Sequence, residues 1–295
     1  MAPPDPAGEP AALLAPDLLA RLERLQVQTR RRLAGRFGGE HRSPHYGASL
    51  DFADLRPYVA GDDVRRIDHQ AWARLDQLLV RLYEATDDLH VRLLVDTSQS
   101  MAGAKLAQSR RLAAALGFVA LVARDSVSVH TFPLDRPAPR FRGRNAAPAL
   151  FAQLQAVEAG GETPFAGAVR HFLARPGPPG LTVVLSDLLT DDWDGGITRL
   201  PARGADLAVA HVLAADELHP SMTGDLELVD AETGAVVAVS LSAATRRDYE
   251  RIALAWADDV AARCAQVGAS YLRVLDTDDI APLLLGGWRA AGVLR

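Results

Sequence analysis

His90 to Met101 reads H-V-R-L-L-V-D-T-S-Q-S-M, and this stretch decides the fold. Val91 to Val95 is almost entirely valine and leucine, the composition of a strand buried on both faces of a sheet. The apolar run stops at Asp96, and oxygen-bearing side chains follow at every second position: Asp96, Ser98 and Ser100. A carboxylate and two hydroxyls leaving the carboxyl end of a central strand lie where open α/β sheets bind ligands. Hard oxygen donors suit a divalent cation, so the rest of the chain is expected to supply further ligands.

Towards the C-terminus, strand and helix patterns alternate. Lys105 to Ala123 reads as a helix with Leu106, Leu112, Leu116, Val119 and Val122 available for packing. Ser126 to Phe132 alternates as a strand, and Arg136 to Arg144, punctuated by Pro137 and Pro139, reads as an extended edge. After a helix over Ala146 to Val157, Gly160 and Gly161 make a tight loop, and Thr163-Pro164 opens the next helix with proline in its first turn. Leu181 to Leu185, apolar but for Thr182, reads as a second buried strand and ends in Ser186-Asp187. A short helix over Asp194 to Arg203 leads to a third buried strand, Ala205 to Leu213. Leu226 to Val229 and Val236 to Val239 flank a hairpin that turns at Gly234. A long helix from about Ser242 to Val267 is closed by Gly268, Tyr271 to Leu275 is the last strand, and Asp279 to Ala290 is the closing helix. Strands separated by helices specify a parallel sheet with right-handed crossovers.

Towards the N-terminus the pattern changes. Met1 to Pro16 is rich in Pro, Ala and Gly and reads as a disordered tail. Asp17 can cap a helix carrying Leu18, Leu22 and Leu25 that runs to about Arg32, where Arg30, Arg31 and Arg32 complement the helix C-terminus. Gly35 to Gly47 reads as a loop, with Pro44 between His41 and His45 arguing against a helical metal pair. The segment Asp51 to Arg74 is dense in Asp and Arg. Asp62 or Asp63 is placed to cap a helix through Ile67 and Trp72 to Arg74, and Leu78 to Ala85 alternates as a half-buried strand. Asp54, Arg56, Asp62, Arg65 and Asp68 read as a structural ion-pair network, because aspartates beside arginines ionise too readily to carry protons at neutral pH. The expected organisation is a tail over 1–16, an N-terminal helical and strand extension over 17–88, and an α/β domain over 89–295 with a hairpin insertion at about 224–240.

Composition narrows the function classes. The chain has 295 residues, 48% hydrophobic and 23% charged, ample for a sizeable core. Its net charge of -5 does not favour nucleic acid, and a third reading, nucleic-acid binding through the arginines between Arg21 and Arg81, is weakened because they are interleaved with aspartates. Lys105 is the only lysine, which with heavy alanine use reads as GC-rich coding. Cys264 is the only cysteine, which excludes an intramolecular disulfide and a cysteine-based zinc site. No apolar run approaches the roughly 20 residues of a membrane span, and the acidic N-terminus argues against a signal peptide, so a cytoplasmic location is expected.

Asp96, Ser98 and Ser100, then Thr163 in G-G-E-T-P, then Asp187 in V-V-L-S-D together resemble the von Willebrand factor A-type domain and its metal-ion-dependent adhesion site. In a doubly wound sheet ordered 3-2-1-4-5-6, strands one and four flank the switch point, where Asp96 and Asp187 would converge. The resemblance implies an octahedral Mg²⁺ or Mn²⁺ site that accepts a Glu or Asp from a partner protein. A second block, R-P-Y-V-A-G-D-D-V-R-R-I-D-H-Q-A-W-A-R from Arg56 to Arg74 with V-R-L-Y-E from Val80 to Glu84, is similar to the bacterial domain of unknown function 58 family. The D-A-E-T-G hairpin at Asp230 to Gly234 and R-R-D-Y at Arg246 to Tyr249 fit that family too; His69 and Trp72 depart from its usual Trp and small residue. Its members are typically encoded beside MoxR-type AAA+ ATPases, which implies an adaptor or chaperone-like partner. The expected function is therefore a non-enzymatic, cation-dependent protein-interaction module. The alternative is a metal-dependent hydrolase or phosphatase using Asp96 and Asp187; against it, Ser98 stands where haloacid-dehalogenase phosphatases need a second Asp, and no G-x-S-x-G, Walker A or H-E-x-x-H occurs.

Overall fold

The computed structural model describes residues 13–29, 52–62, 64, 67–83, 89–132, 138–161, 164–175, 177, 180–203, 205–230 and 234–295. The chain divides into two compact units, Met1–Arg31 with Leu89–Arg295, and Arg32–Asp88. The expected 17–88 extension is thus split, and its first helix belongs to the larger unit.

That helix, α1, spans Pro16–Leu22 with proline in its first turn, and Asp17 lies inside it instead of capping it. Leu14, Leu18, Leu22 and Leu25 are buried in the main core, so residues 13–16 are not part of the expected tail; residues 1–12 lie outside the described ones. The helix stops at Leu22 and does not reach Arg32, because the next residues pair with the C-terminus. Gln26 N donates to Arg295 O at 3.1 Å, Arg295 N returns to Gln26 O at 3.0 Å, and Gln28 N donates to Val293 O at 2.7 Å.

The smaller unit holds β1 (Phe52–Pro57), α2 (His69–Leu75) and β2 (Leu79–Tyr83), with β1 and β2 antiparallel. The start of α2 corrects the expected cap. Asp68 caps it, accepting from Gln70 N at 2.9 Å and Ala71 N at 3.0 Å. Asp62 instead grips the Arg56 guanidinium with both oxygens, at 2.6 and 2.8 Å, and accepts Val59 N at 2.9 Å. This pair is part of the expected ion-pair network; Asp63, Arg65 and the loop histidines His41 and His45 lie outside the described residues.

The larger unit is a mixed α/β structure around one six-stranded sheet. Its strands are β3 (His90–Asp96), β4 (Ser126–Phe132), β5 (Arg140–Arg142), β6 (Gly180–Ser186), β7 (Asp206–Leu213) and β10 (Ser270–Leu275). They lie in the order β10-β7-β6-β3-β4-β5, parallel throughout except for β5, which runs antiparallel at the edge beside β4. Counted in chain order within the sheet, this is 3-2-1-4-5-6, and the order reverses between β3 and β6. β3 and β6 are buried along their whole length, as their apolar runs require. Gly180 opens β6 so close to the His90 carbonyl that a Cβ would collide with backbone there.

Helices cover both faces. Val91, Leu93 and Val95 face a cluster that includes α1, α3 (Ala104–Val122), α4 (Ala147–Gln155) and the C-terminal segment, where a helical turn at Ile280–Pro282 continues as a π-turn over Leu283–Trp288. Leu94, Phe132, Val184 and Val209 face α5 (Phe165–Ala174), α6 (Trp193–Arg199) and α8 (Ala243–Gln266). Pro164 sits just before α5, as its N-cap. Beyond β7, the short helix α7 (Ala215–Leu218) leads into a separate antiparallel hairpin, β8 (Gly224–Val229) with β9 (Val236–Leu241).

Candidate metal centre

The order reversal brings the carboxyl ends of β3 and β6 side by side. Asp96 is the last residue of β3 and Asp187 the first after β6, and both are buried, at 0% and 1% exposure. Each carboxylate is held by the turn that follows its strand. Asp96 Oδ1 accepts Ser98 N at 2.9 Å, and Asp187 Oδ1 accepts Leu189 N at 3.1 Å. Across the reversal, Ser186 Oγ donates to Asp96 Oδ2 at 2.5 Å while accepting Leu188 N at 2.9 Å. Leu188 adopts a positive φ of 55°, which turns the chain sharply behind Asp187. Ser98 Oγ and Ser100 Oγ stand 2.9 Å apart.

Thr163 lies outside the described residues. The glycines before it are nevertheless tied to the Asp-x-Ser-x-Ser loop: Gly160 N donates to Thr97 O at 2.8 Å, and Gln99 N donates to Gly161 O at 3.0 Å. Thr97 in turn donates its hydroxyl to Phe132 O, pinning this loop to the end of β4.

Burial is the largest influence on Asp96 and pushes its carboxyl above the ordinary range; hydrogen bonds from Ser186 and Ser98 oppose this, and the nearby charge of Asp187 adds to it. Two carboxylates sharing a dry site favour any cation that enters. One is already there: Lys105 Nζ donates to Asp187 Oδ2 at 2.8 Å and also to Glu217 Oε1. Burial alone would lower the lysine's pKa, but its two acidic partners outweigh that and raise it. Behind Asp187, its carbonyl lies 2.9 Å from His211 Nε2, and His211 Nδ1 lies 2.9 Å from Tyr271 OH. A carbonyl only accepts, so Nε2 carries the proton; the Tyr271 hydroxyl also donates to the Ala257 carbonyl at 3.3 Å. Burial is the largest influence on this imidazole and lowers its pKa to about 4, which keeps it neutral.

The donor chemistry fits a hard divalent ion. Cis oxygens around an ion with ~2.1 Å bonds stand about 3.0 Å apart, close to the spacing of the two serine hydroxyls. Among the described residues, no three His, Cys, Asp or Glu side chains gather as a cluster. The candidate set needs none, since only Asp96 and Asp187 are acids and the other donors are hydroxyls. The acids after Asp187 serve the fold. Asp192 accepts from Thr190 Oγ1 at 2.6 Å and from Ala166 N at 3.0 Å in the first turn of α5, and Asp194 pairs with Arg263 at 3.2 Å.

Lys105, Glu217, Ser186 and His211 were not singled out from the sequence. Only Lys105 carried a signal, as the single lysine among 32 basic residues.

Residues 54–258 match the family described as "Protein of unknown function DUF58". The chain belongs to the DUF58 family. This DUF58 chain is 29% identical over 288 residues to uncharacterized protein Rv1480 of Mycobacterium tuberculosis (H37Rv) and to uncharacterized protein Mb1516 of Mycobacterium bovis, covering 91% of its own length and 88% of theirs. Among solved structures, it is similar to conserved hypothetical protein BatB from Bacteroides thetaiotaomicron at a TM-score of 0.42 and 13% identity, over 69% of this chain and 98% of that one. An aerotolerance-related membrane protein from Bacteroides fragilis gives a TM-score of 0.40 and 17% identity over the same shares. Among the described residues of the DUF58 chain, no helix is long and apolar enough to cross a membrane.

Proposed function

We propose that this DUF58 protein is a non-enzymatic, cation-dependent protein-interaction module of the von Willebrand factor A type. Asp96, Ser98, Ser100, Thr163 and Asp187 would hold Mg²⁺ or Mn²⁺. The observation that carries the reading is the meeting of Asp96 and Asp187 at the order reversal, beside two serine hydroxyls 2.9 Å apart. A bound divalent ion supplies a Lewis-acidic position for a Glu or Asp of a partner protein. The protein's own residues orient the donors: Ser186 and Ser98 N fix the Asp96 carboxylate, and the Gly160–Gly161 loop is laced to Thr97 and Gln99.

Binding fits these residues better than hydrolysis. Both Asp96 oxygens already accept hydrogen bonds, which leaves the carboxylate braced and poorly placed to attack a substrate. His211, the imidazole behind the site, has its Nε2 engaged with the Asp187 carbonyl and so is not poised as a base. The neighbour of choice for a first binding trial is a MoxR-type AAA+ ATPase, in keeping with the family resemblance.

The test is thermal unfolding of the intact protein and of Asp96→Ala in chelator, Mg²⁺ and Mn²⁺. An ion that binds only the folded state stabilises it by about 2.7 kcal/mol at a hundredfold excess over Kd. A rise in Tm with millimolar metal is expected for the wild type and not for the variant. A wild-type Tm indifferent to metal and chelator would refute the cation site.

A further inference from the structure

The chain's one lysine is spent on the candidate site. Lys105 lies in the first turn of α3, only 4% exposed, and its ammonium bridges Asp187 and Glu217. All the other basic side chains that carry a permanent charge are arginines. An ammonium is a compact point charge on a flexible stem, whereas a guanidinium is a broad planar fork that demands a wider space. Both partners are braced. Asp187 Oδ1 is taken by Leu189 N, and Glu217 Oε2 accepts Ala214 N at 2.7 Å.

We propose that Lys105 is a built-in cation that sets the charge of the divalent site; this rests on the cation-site reading above. Asp96 and Asp187 bring two negative charges, and Lys105 cancels one. A divalent ion added to that arrangement leaves a net positive charge beside Ser98 and Ser100, and so a need for an anionic ligand from outside. Lys105 thereby weakens capture of the bare ion and reserves full occupancy for the complex with a partner carboxylate. Glu217 works in the opposite direction. Its side chain is 32% exposed and contacts the same ammonium, where it offsets part of the lysine's charge.

The two acidic-site neighbours therefore make opposed predictions, which a purely structural role would not. Mn²⁺ affinity is measured by calorimetry on the full chain for the wild type, Lys105→Met and Glu217→Gln, with Asp96→Ala as the control for the site itself. Removing the lysine charge without shortening the side chain tightens Mn²⁺ binding by about tenfold or more, since a like charge in a low-dielectric site repels strongly. Removing the Glu217 charge weakens it by a few fold. Folded Lys105→Met with wild-type or weaker affinity overturns the proposal. If Lys105→Met does not fold, Glu217→Gln decides, and an unchanged or tighter affinity there overturns it. Wild type that binds no Mn²⁺, like Asp96→Ala, removes the cation site and this inference together; wild type that binds while both variants match it removes this inference alone.

Discussion

His211 shows how a single side chain can carry both packing and charge constraints. It is fully buried, it donates to the Asp187 carbonyl, and its ring meets Trp256 edge-on at 4.9 Å. The fold holds it neutral, with a pKa of about 4 against an ordinary 6.5. The unfolded chain takes up a proton as pH falls below about 6.5, while the folded chain resists until about 4. The stability this residue confers is therefore complete above pH 6.5 and is lost on descending to pH 4, by roughly 3 kcal/mol in all. Urea unfolding of the wild type and His211→Gln across that window, in chelator, is expected to show a steeper loss for the wild type. Parallel pH profiles would mean that the imidazole does not titrate with folding. Asp96 and Asp187 were legible in the sequence because each lies at the end of an apolar run, Asp187 one residue beyond it. Lys105 was not, because no local pattern says that a helix N-terminus will lie over another strand's aspartate.

Elements were read well where the hydrophobic period was long and poorly where a distant partner intervened. β3, β6, β7, α3 and α8 lie close to their expected positions, since each has a continuous apolar run or a full helical stripe. β1 was not foreseen, because its Asp and Arg content hides a strand whose pairing with β2 only the fold supplies. The beginning of α2 was misread for a related reason: several aspartates precede it, and only the bidentate Arg56 contact withdraws Asp62 from the role of cap. No α2 side chain is buried, so Asp68 matters more than a cap usually does. Asp68→Ala is expected to cost about 1 kcal/mol locally and to speed amide hydrogen exchange across His69–Leu75, with little change in the main unfolding transition. Unaltered protection of those amides would show that the cap is dispensable.

At the level of the whole molecule, Leu14, Leu18, Leu22 and Leu25 are part of the core. Leu22 is fully buried in the cluster under α3, and the following residues pair with the last three of the chain. Leu22→Ala is expected to lower global stability by about 2–5 kcal/mol, read from denaturant midpoints at unchanged m-value. A shift under half a kcal/mol would place α1 outside the cooperative unit. The α/β class, the central strands and the two acids at their ends followed from the sequence itself. Hydrophobic periodicity is a local property, and a buried parallel strand must be apolar until it ends. The pairing of Gln26–Gln28 with the last three residues, the division of the supposed extension and the lysine bridge across the aspartate came only from the tertiary structure. Each depends on contacts between residues far apart in the chain, where periodicity and capping rules carry no information. The stretch from His90 to Met101 thus announced an oxygen-lined strand end, and the fold supplied the internal cation beside it.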